Sequence, residues 1–333
     1  MPKIHVLVSV PQPLRGLILS PEAERKLANL ATVTTNEDGR NWMAEELAAR
    51  LPGVDALITS WGFVPLDWAV LAAADRLRLV AHAAGSVKRL VSDALYDRGV
   101  AVTHAAGRIA DSVAEFSLLM AMTGLRQAHT LDRQMKAGEW PKTREAPVYE
   151  IAGKRVGLLG MGYVGRRSAR IFQAVGAEVW AYDPYLQPAD AERLGVRKAD
   201  LDELLSGCKV ISVHLPVTDE THRMLGAREL ALIQDGAVFV NTARSLVVDQ
   251  GALLTELQKG RFWAALDVFD KEPLPADSPF RALDNVFLTP HVAGLTIDSY
   301  QNLMAQAIDE IDRFFRGEPL AYPVTREMLA TMA

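Results

Sequence analysis

Cysteine is nearly absent: the 333 residues hold one, Cys208. A lone cysteine excludes an internal disulfide, and a reducing, cytoplasmic setting fits it. A large excess of either charge is missing as well. The formal net charge of −5 makes no electrostatic case for nucleic acid or an anionic membrane as partner. No apolar run is long enough to span a bilayer. The opening MPKIHVLVSV has one lysine and a short apolar stretch before Pro11 and Pro13. It is too short for a signal peptide and reads as a buried first strand. Low-complexity tracts and short-period repeats are missing too. No two histidines or acids have convincing metal-ligand spacing, so no metal is expected. These absences leave a globular protein whose partner is a small molecule.

What is there is an alternation. With 49% hydrophobic and 23% charged residues over 333 positions, two domains suit the length. In the first hundred residues KIHVLVSV, ATVTT, VDALITS, LRLVAHA and VAVTHAA read as strands. SPEAERKLANL, WMAEELAAR, DWAVLAAAD and SDALYDRG read as helices between them. Ser20-Pro21 supplies an N-cap and a proline at the first helical position, and Gly99 a helix stop. Such alternation implies a parallel sheet covered on both faces. Residues 109–128 form one long helical pattern, apolar around most of its circumference, suited to bridging domains or packing on a second subunit. From Arg155 the alternation resumes with RVGLLG, EVWAYD, KVISVHLP, AVFVNTA, FWAALDVF and NVFLTPH as strands, and ends in the amphipathic SYQNLMAQAIDEIDRFFRG. The expected fold is therefore α/β: two doubly wound parallel-sheet domains of Rossmann or flavodoxin type. The first is split into residues 1–104 and a return helix within 298–333, with the second, 105–297, between them.

VGLLGMGYVG, residues 156–165, is a strand running into G-x-G-x-x-G. Gly160 makes the sharp turn, Gly162 lets a pyrophosphate approach, and Gly165 lets helix and strand pack closely. The helix opening at Tyr163 and Val164 offers amides and the positive end of its dipole. Asp183 lies about 20 residues on, at a strand end where a carboxylate binds ribose hydroxyls and repels a 2′-phosphate. NAD is favoured over NADP.

Three later strand ends carry polar groups: Arg244 in NTARSLVVD, Asp267 and Glu272 in LDVFDKEPL, and His291 in TPHVAG. Open parallel sheets bind ligands beyond their carboxyl ends. Taken singly each has an ordinary alternative: a surface salt bridge, a solvated loop acid, a satisfied strand-end histidine. Together with the glycine motif and HLP at 214–216, in this order, they resemble the D-isomer-specific 2-hydroxyacid dehydrogenase family over nearly the whole chain. The resemblance implies NAD(P)-linked interconversion of a 2-oxo acid and a 2-hydroxy acid, on a substrate domain split between the chain ends. It also implies roles. Arg244 grips the substrate's carboxylate and 2-oxo group, His291 is the general acid or base, and Glu272 orients His291. Asp267 contacts the nicotinamide end of the cofactor. Thr242, Ala243 and Gly294 lie beside it through their backbones, and His214 and Pro216 line its cleft. A homodimer built on the 109–128 helix is a further expectation from the family.

The chain departs from the family in places. Tyr163 stands where arginine is frequent, and Ser245 where glycine often follows the arginine. The substrate-carboxylate loop reads AHAAGSVKRL, with Ala83 for one glycine and Val87 and Leu90 for acidic residues. The backbone amides of Ala84, Gly85 and Ser86 remain available to a carboxylate. Trp61 is either a wall of that pocket or a packing residue. His82 and His104 end strands and are assigned to packing before the cleft; His5, His129 and His222 are structural or exposed. A second reading is an NAD(H)-sensing binding protein of the corepressor type. Formate or phosphite oxidation finds no match in the first domain. Phosphoglycerate oxidation is also open, here without an appended regulatory domain.

Overall fold

A computed structural model describes residues 3–141 and 147–332. It divides into two compact units, Met1–Ile109 with Leu295–Ala333, and Ala110–Gly294. The first unit holds strands β1 (Ile4–Val8), β2 (Ala31–Thr35), β3 (Ala56–Thr59), β4 (Leu79–His82) and β5 (Ala101–His104). Its helices are α1 (Leu14–Ile18), α2 (Pro21–Leu30), α3 (Ala44–Ala48), α4 (Trp68–Leu71) and α5 (Asp93–Asp97). All five strands are parallel, in the order β2-β1-β3-β4-β5. That is the flavodoxin-like winding. Strands β3 and β4 are buried at every position, whereas β2 alternates. The sequence shows the same contrast: ALIT and LVAH run apolar as covered central strands do, and ATVTT is an edge.

Helix α6 (Ala106–Arg126) starts in the first unit and runs into the second. The long pattern read over 109–128 breaks at Gln127, whose φ of 51° is left-handed, and α7 (Ala128–Lys136) follows. The second unit continues with β6 (Arg155–Leu159), α8 (Tyr163–Ala174), β7 (Glu178–Tyr182), α9 (Pro188–Leu194), β8 (Arg197–Lys198), α10 (Leu201–Gly207) and β9 (Val210–Val213). Then come α11 (Ala227–Ala231), β10 (Val238–Asn241), α12 (Gln250–Gln258), β11 (Trp263–Leu266) and β12 (Val286–Leu288). Its seven strands are parallel in the order β12-β11-β10-β9-β6-β7-β8. Chain order therefore reverses between β6 and β9, the Rossmann switch point.

Helix α13 (Ile297–Arg316) belongs to the first unit. Thr296 caps it by accepting from the Ser299 amide at 3.0 Å, and Gly317 ends it at φ 75°. Its buried face, Leu303, Met304, Ala307, Ile308 and Ile311, packs into the cluster of Val6, Val8, Ile58, Leu79 and Ala81. Each fully buried Leu or Ile there contributes roughly 1.5–3 kcal/mol of transfer free energy. The amphipathic period near the chain end is what returns the helix to the first sheet. Among the described residues no helix is long and apolar enough to cross a membrane.

Candidate active site

Strand β6 runs into Gly160, whose φ is +98°. A side chain there would meet the His214 carbonyl at 2.9 Å, so only glycine fits on both counts. At Gly165 a Cβ would lie 2.0 Å from the Gly160 carbonyl oxygen, which sets how closely α8 approaches the turn. Gly162, the N-cap of α8, has open space where a Cβ would stand. Tyr163 and Val164 form the first turn of α8, Tyr163 exposed and Val164 half-buried. Asp183 follows β7 and is tied to the turn: Oδ2 accepts from the Met161 amide at 2.7 Å and Oδ1 from the Tyr185 amide at 2.8 Å. Each oxygen keeps a lone pair for another donor.

On the other side of the switch point His214 follows β9, its amide donating to the Leu159 carbonyl at 2.7 Å. Both ring nitrogens are shielded from solvent and meet no hydrogen-bond partner among the described residues. Burial pushes the imidazole pKa down to about 3, so the ring is neutral. Pro216, two residues on, accepts from Thr221 Oγ1 at 2.6 Å. An uncovered glycine at a helix N-terminus, a carboxylate with spare lone pairs and an unpartnered imidazole at one switch point fit a dinucleotide.

Strand β10 ends in Asn241, which is buried and folds the next residues around itself. Its Oδ1 accepts from the Ala243 amide and its Nδ2 donates to the Arg244 carbonyl, both at 3.1 Å. This Asx-type turn turns Arg244 out of the strand direction. Thr242 is pinned by Ser117 of α6, Oγ to Oγ1 at 2.9 Å. Ser117 spends its own hydroxyl proton on the Val113 carbonyl at 2.8 Å, so Thr242 is the donor in that pair. Arg244 donates from Nη1 to the Ala243 carbonyl at 2.8 Å. Burial lowers its pKa and the Glu272 carboxylate opposes that shift; a guanidinium remains charged.

Strand β11 ends in Asp267, which has no exposed surface. Its Oδ1 accepts from Thr289 Oγ1 at 2.6 Å and from the Val292 amide at 2.9 Å. Its Oδ2 accepts from the Ala293 amide at 2.9 Å. A buried carboxylate is tolerated because three donors of its own chain satisfy it. The same bonds hold the 289–293 loop, in which His291 takes a left-handed φ of +55°. Glu272 accepts from the Phe269 amide at 3.0 Å through Oε1, and its Oε2 meets His291 Nδ1 at 2.8 Å. The neutral histidine then carries its proton on Nδ1 and leaves Nε2 for other chemistry. Gly294 closes this loop, half-buried.

Glu272 and His291 thus stand as one hydrogen-bonded pair, near enough to Arg244 for the Glu272 charge to act on its guanidinium, and Asp267 holds the His291 loop. The remaining candidates lie in the first unit. Trp61 is 36% exposed and sits edge-on to Tyr300, ring centroids 5.9 Å apart. Ala84 is buried and Gly85 and Ser86 half-buried, just beyond β4. His82 and His104 are buried at the ends of β4 and β5, where they are register partners. Sequence reasoning passed over Asn241, Thr289 and Ser117. An asparagine closing an apolar strand before a turn is a readable signal for the first. Ser117 meets Thr242 across 125 residues of chain, and no local pattern announces such a contact.

Residues 118–293, more than half of the chain, match the family model described as D-isomer specific 2-hydroxyacid dehydrogenase, NAD binding domain. The chain belongs to this dehydrogenase family. Its second unit is the family's NAD-binding domain. Among relatives, a D-3-phosphoglycerate dehydrogenase of Archaeoglobus fulgidus is 34% identical over 277 residues, 83% of this chain and 52% of that one. A glyoxylate reductase of Korarchaeum cryptofilum is 33% identical over 276 residues, 81% of this chain and 82% of that one. The chain thus spans about half the length of the phosphoglycerate dehydrogenase. A solved phosphoglycerate oxidoreductase from Rhizobium etli superposes with a TM-score of 0.81 at 27% identity, covering 97% of this dehydrogenase-family chain and 99% of that one.

Proposed function

We propose that the chain is an NAD-dependent dehydrogenase interconverting a 2-oxo acid and a D-2-hydroxy acid. The observation that carries this is the Glu272–His291 pair at 2.8 Å near the half-buried Arg244. Bound NAD would supply the hydride acceptor, and NADH the donor in reverse. Arg244 holds the substrate carboxylate and 2-oxo oxygen in its planar fork, which orients the carbonyl and polarises it. His291 gives a proton from Nε2 to that oxygen during reduction and takes it back during oxidation. Glu272 stabilises the charged ring and fixes its orientation through Nδ1. Asp267 keeps the histidine loop in place, and in this reading it would stand at the nicotinamide end of the cofactor.

The split first unit is the substrate domain in this reading. Its Gly85 and Ser86 backbone amides serve the substrate carboxylate, whereas the Ala84 amide, opposite an Ala83 carbonyl that faces β3, turns to β5; Trp61 walls the side-chain pocket. Thr242, Ala243, Gly294, His214 and Pro216 belong to the cofactor cleft. The protein works as a cytoplasmic homodimer, with α6 at the interface; Leu119 and Met122 give that helix an apolar exposed stripe. The test is a panel of glyoxylate, hydroxypyruvate, 3-phosphohydroxypyruvate and phenylpyruvate followed by NADH absorbance. At least one should be reduced at a rate that saturates with substrate. Failure to turn over any of them, with NADH bound, overturns the dehydrogenase reading.

A further inference from the structure

The substrate loop of the first unit shows why particular amides are available. Along a strand, successive carbonyls point alternately to the two neighbouring strands. Ala83 still obeys this. Its amide donates to the Thr59 carbonyl at 2.8 Å, and its carbonyl accepts from Ser60 Oγ at 2.9 Å, both on the β3 side. Ala84 turns its carbonyl the other way, to the Ala105 amide beyond β5 at 2.9 Å. Gly85 should then turn back toward β3. Instead its carbonyl meets His104 Nδ1, again at the β5 end, at 3.2 Å.

Two successive carbonyls are therefore taken by groups of the same neighbouring strand end. The peptides here are trans, since among the described residues the cis bonds precede only Pro13 and Pro273. In a planar trans peptide the N–H points opposite to the C=O. The amides of Gly85 and Ser86 consequently both face away from β5, as a pair. Two adjacent N–H groups facing one way form an anion-binding concavity suited to a carboxylate. His104 is the group that turns the second peptide. Its own carbonyl is gripped by Gln306 Nε2 of α13 at 2.6 Å, so the donor is fixed at both ends. Burial keeps the imidazole pKa low, and the bond to Gly85 requires the ring proton on Nδ1.

We propose that His104 is a positioning residue: by tying the Gly85 carbonyl to the end of β5 it presents the Gly85 and Ser86 amides as the carboxylate clamp of the first unit. This rests on the reading of the chain as a 2-oxo acid dehydrogenase. His104→Phe keeps the ring volume and removes the donor, whereas His104→Asn returns a donor at the place of Nδ1. The best substrate of the panel and oxamate, a carboxylate-bearing 2-oxo acid mimic, are the probes, with NADH affinity read by fluorescence. The expected result is a rise of tenfold or more in KM and in the oxamate inhibition constant for His104→Phe. NADH affinity should be unchanged, and His104→Asn should recover most of the loss.

Amide NMR of the unaltered protein gives a second measurement that needs no variant to fold. Oxamate should shift the Gly85 and Ser86 signals and leave Ala83 in place. Values for His104→Phe within twofold of the parent, or unmoved Gly85 and Ser86 signals, overturn the clamp. Arg244→Lys separates this from the underlying reading. If it also leaves KM unchanged, the 2-oxo acid site itself is misassigned. If only Arg244→Lys raises KM, the site stands and the role of His104 falls.

Discussion

At the carboxyl ends of β4 and β5 in the first sheet the polar inventory is main chain and buried neutral imidazole: His82 with Thr59 at 2.8 Å, and His104 with the Gly85 carbonyl. At the same ends of the second sheet it is charge: Asp183, Arg244, Asp267 and the Glu272–His291 pair. Both sheets are parallel and doubly wound, so both end their strands on one side. The proposed function accounts for the difference by what each end would do. A unit that moves a proton needs ionisable side chains held at a stated atom. A unit that only holds a carboxylate can do so with amides, which carry no charge to desolvate.

The largest expected effect separates the two ends by chemistry. His291→Ala should lower kcat by about 10²–10⁴, the usual worth of a positioned acid, while leaving substrate KM within a few-fold. A lesion in the first unit should do the reverse. Steady-state kinetics of His291→Ala with the best panel substrate checks this; a normal kcat would remove the histidine from the chemistry.

A smaller effect concerns the cofactor end of the second unit. If Asp183 faces the ribose, NADH should be preferred over NADPH by at least about tenfold in kcat/KM, roughly 1.4 kcal/mol. Asp183→Ala should shrink that preference. It should also lower thermal stability, because Asp183 accepts the Met161 and Tyr185 amides that shape the turn. Equal use of both cofactors by the parent protein breaks the assignment.

The smallest effect tests the buried imidazoles, present in both units. Burial holds the His82 and His214 pKa values near 3 and lowers that of His104. In the unfolded chain each sits near 6.5. Below about pH 6.5 the unfolded state takes up protons that the folded state refuses, so this stability is present above pH 6.5 and lost as the pH falls toward 3. Melting temperature should be flat above pH 7 and decline from pH 6.5 to 5, a window above most carboxylate titration. His82→Gln and His214→Gln should each flatten part of the decline, one per unit. A melting temperature that does not change over this window would mean that the rings are not buried neutral.

Much of the second unit was legible in the sequence because its signals are local. Glycines at fixed spacing, an acid about 20 residues on and polar residues closing apolar runs all lie within one strand–turn–helix step. Most strands of both sheets were legible for the same reason, as apolar runs; the two-residue strand β8 was missed, because Arg197 and Lys198 are both exposed and charged. The long helix read over 109–128 was not fully legible. Its apolar pattern runs on through Gln127, and only the structure places a left-handed residue there that starts a new helix.

By itself the sequence determined two α/β halves, a return helix, a dinucleotide turn and the residue types at each strand end, since these follow from period, spacing and the conformational needs of glycine. Tertiary structure alone decided their partners. The local pattern showed none of the own-chain donors of Asp267; folded, it accepts from Thr289, Val292 and Ala293 and so holds the His291 loop. His104 read as packing; folded, it turns the Gly85 peptide. Both outcomes come from residues about 20 positions apart meeting at neighbouring strand ends. Sequence patterns specify which face of an element is apolar. Which donor reaches which acceptor depends on strand order and register, and these exist only once the sheet has formed.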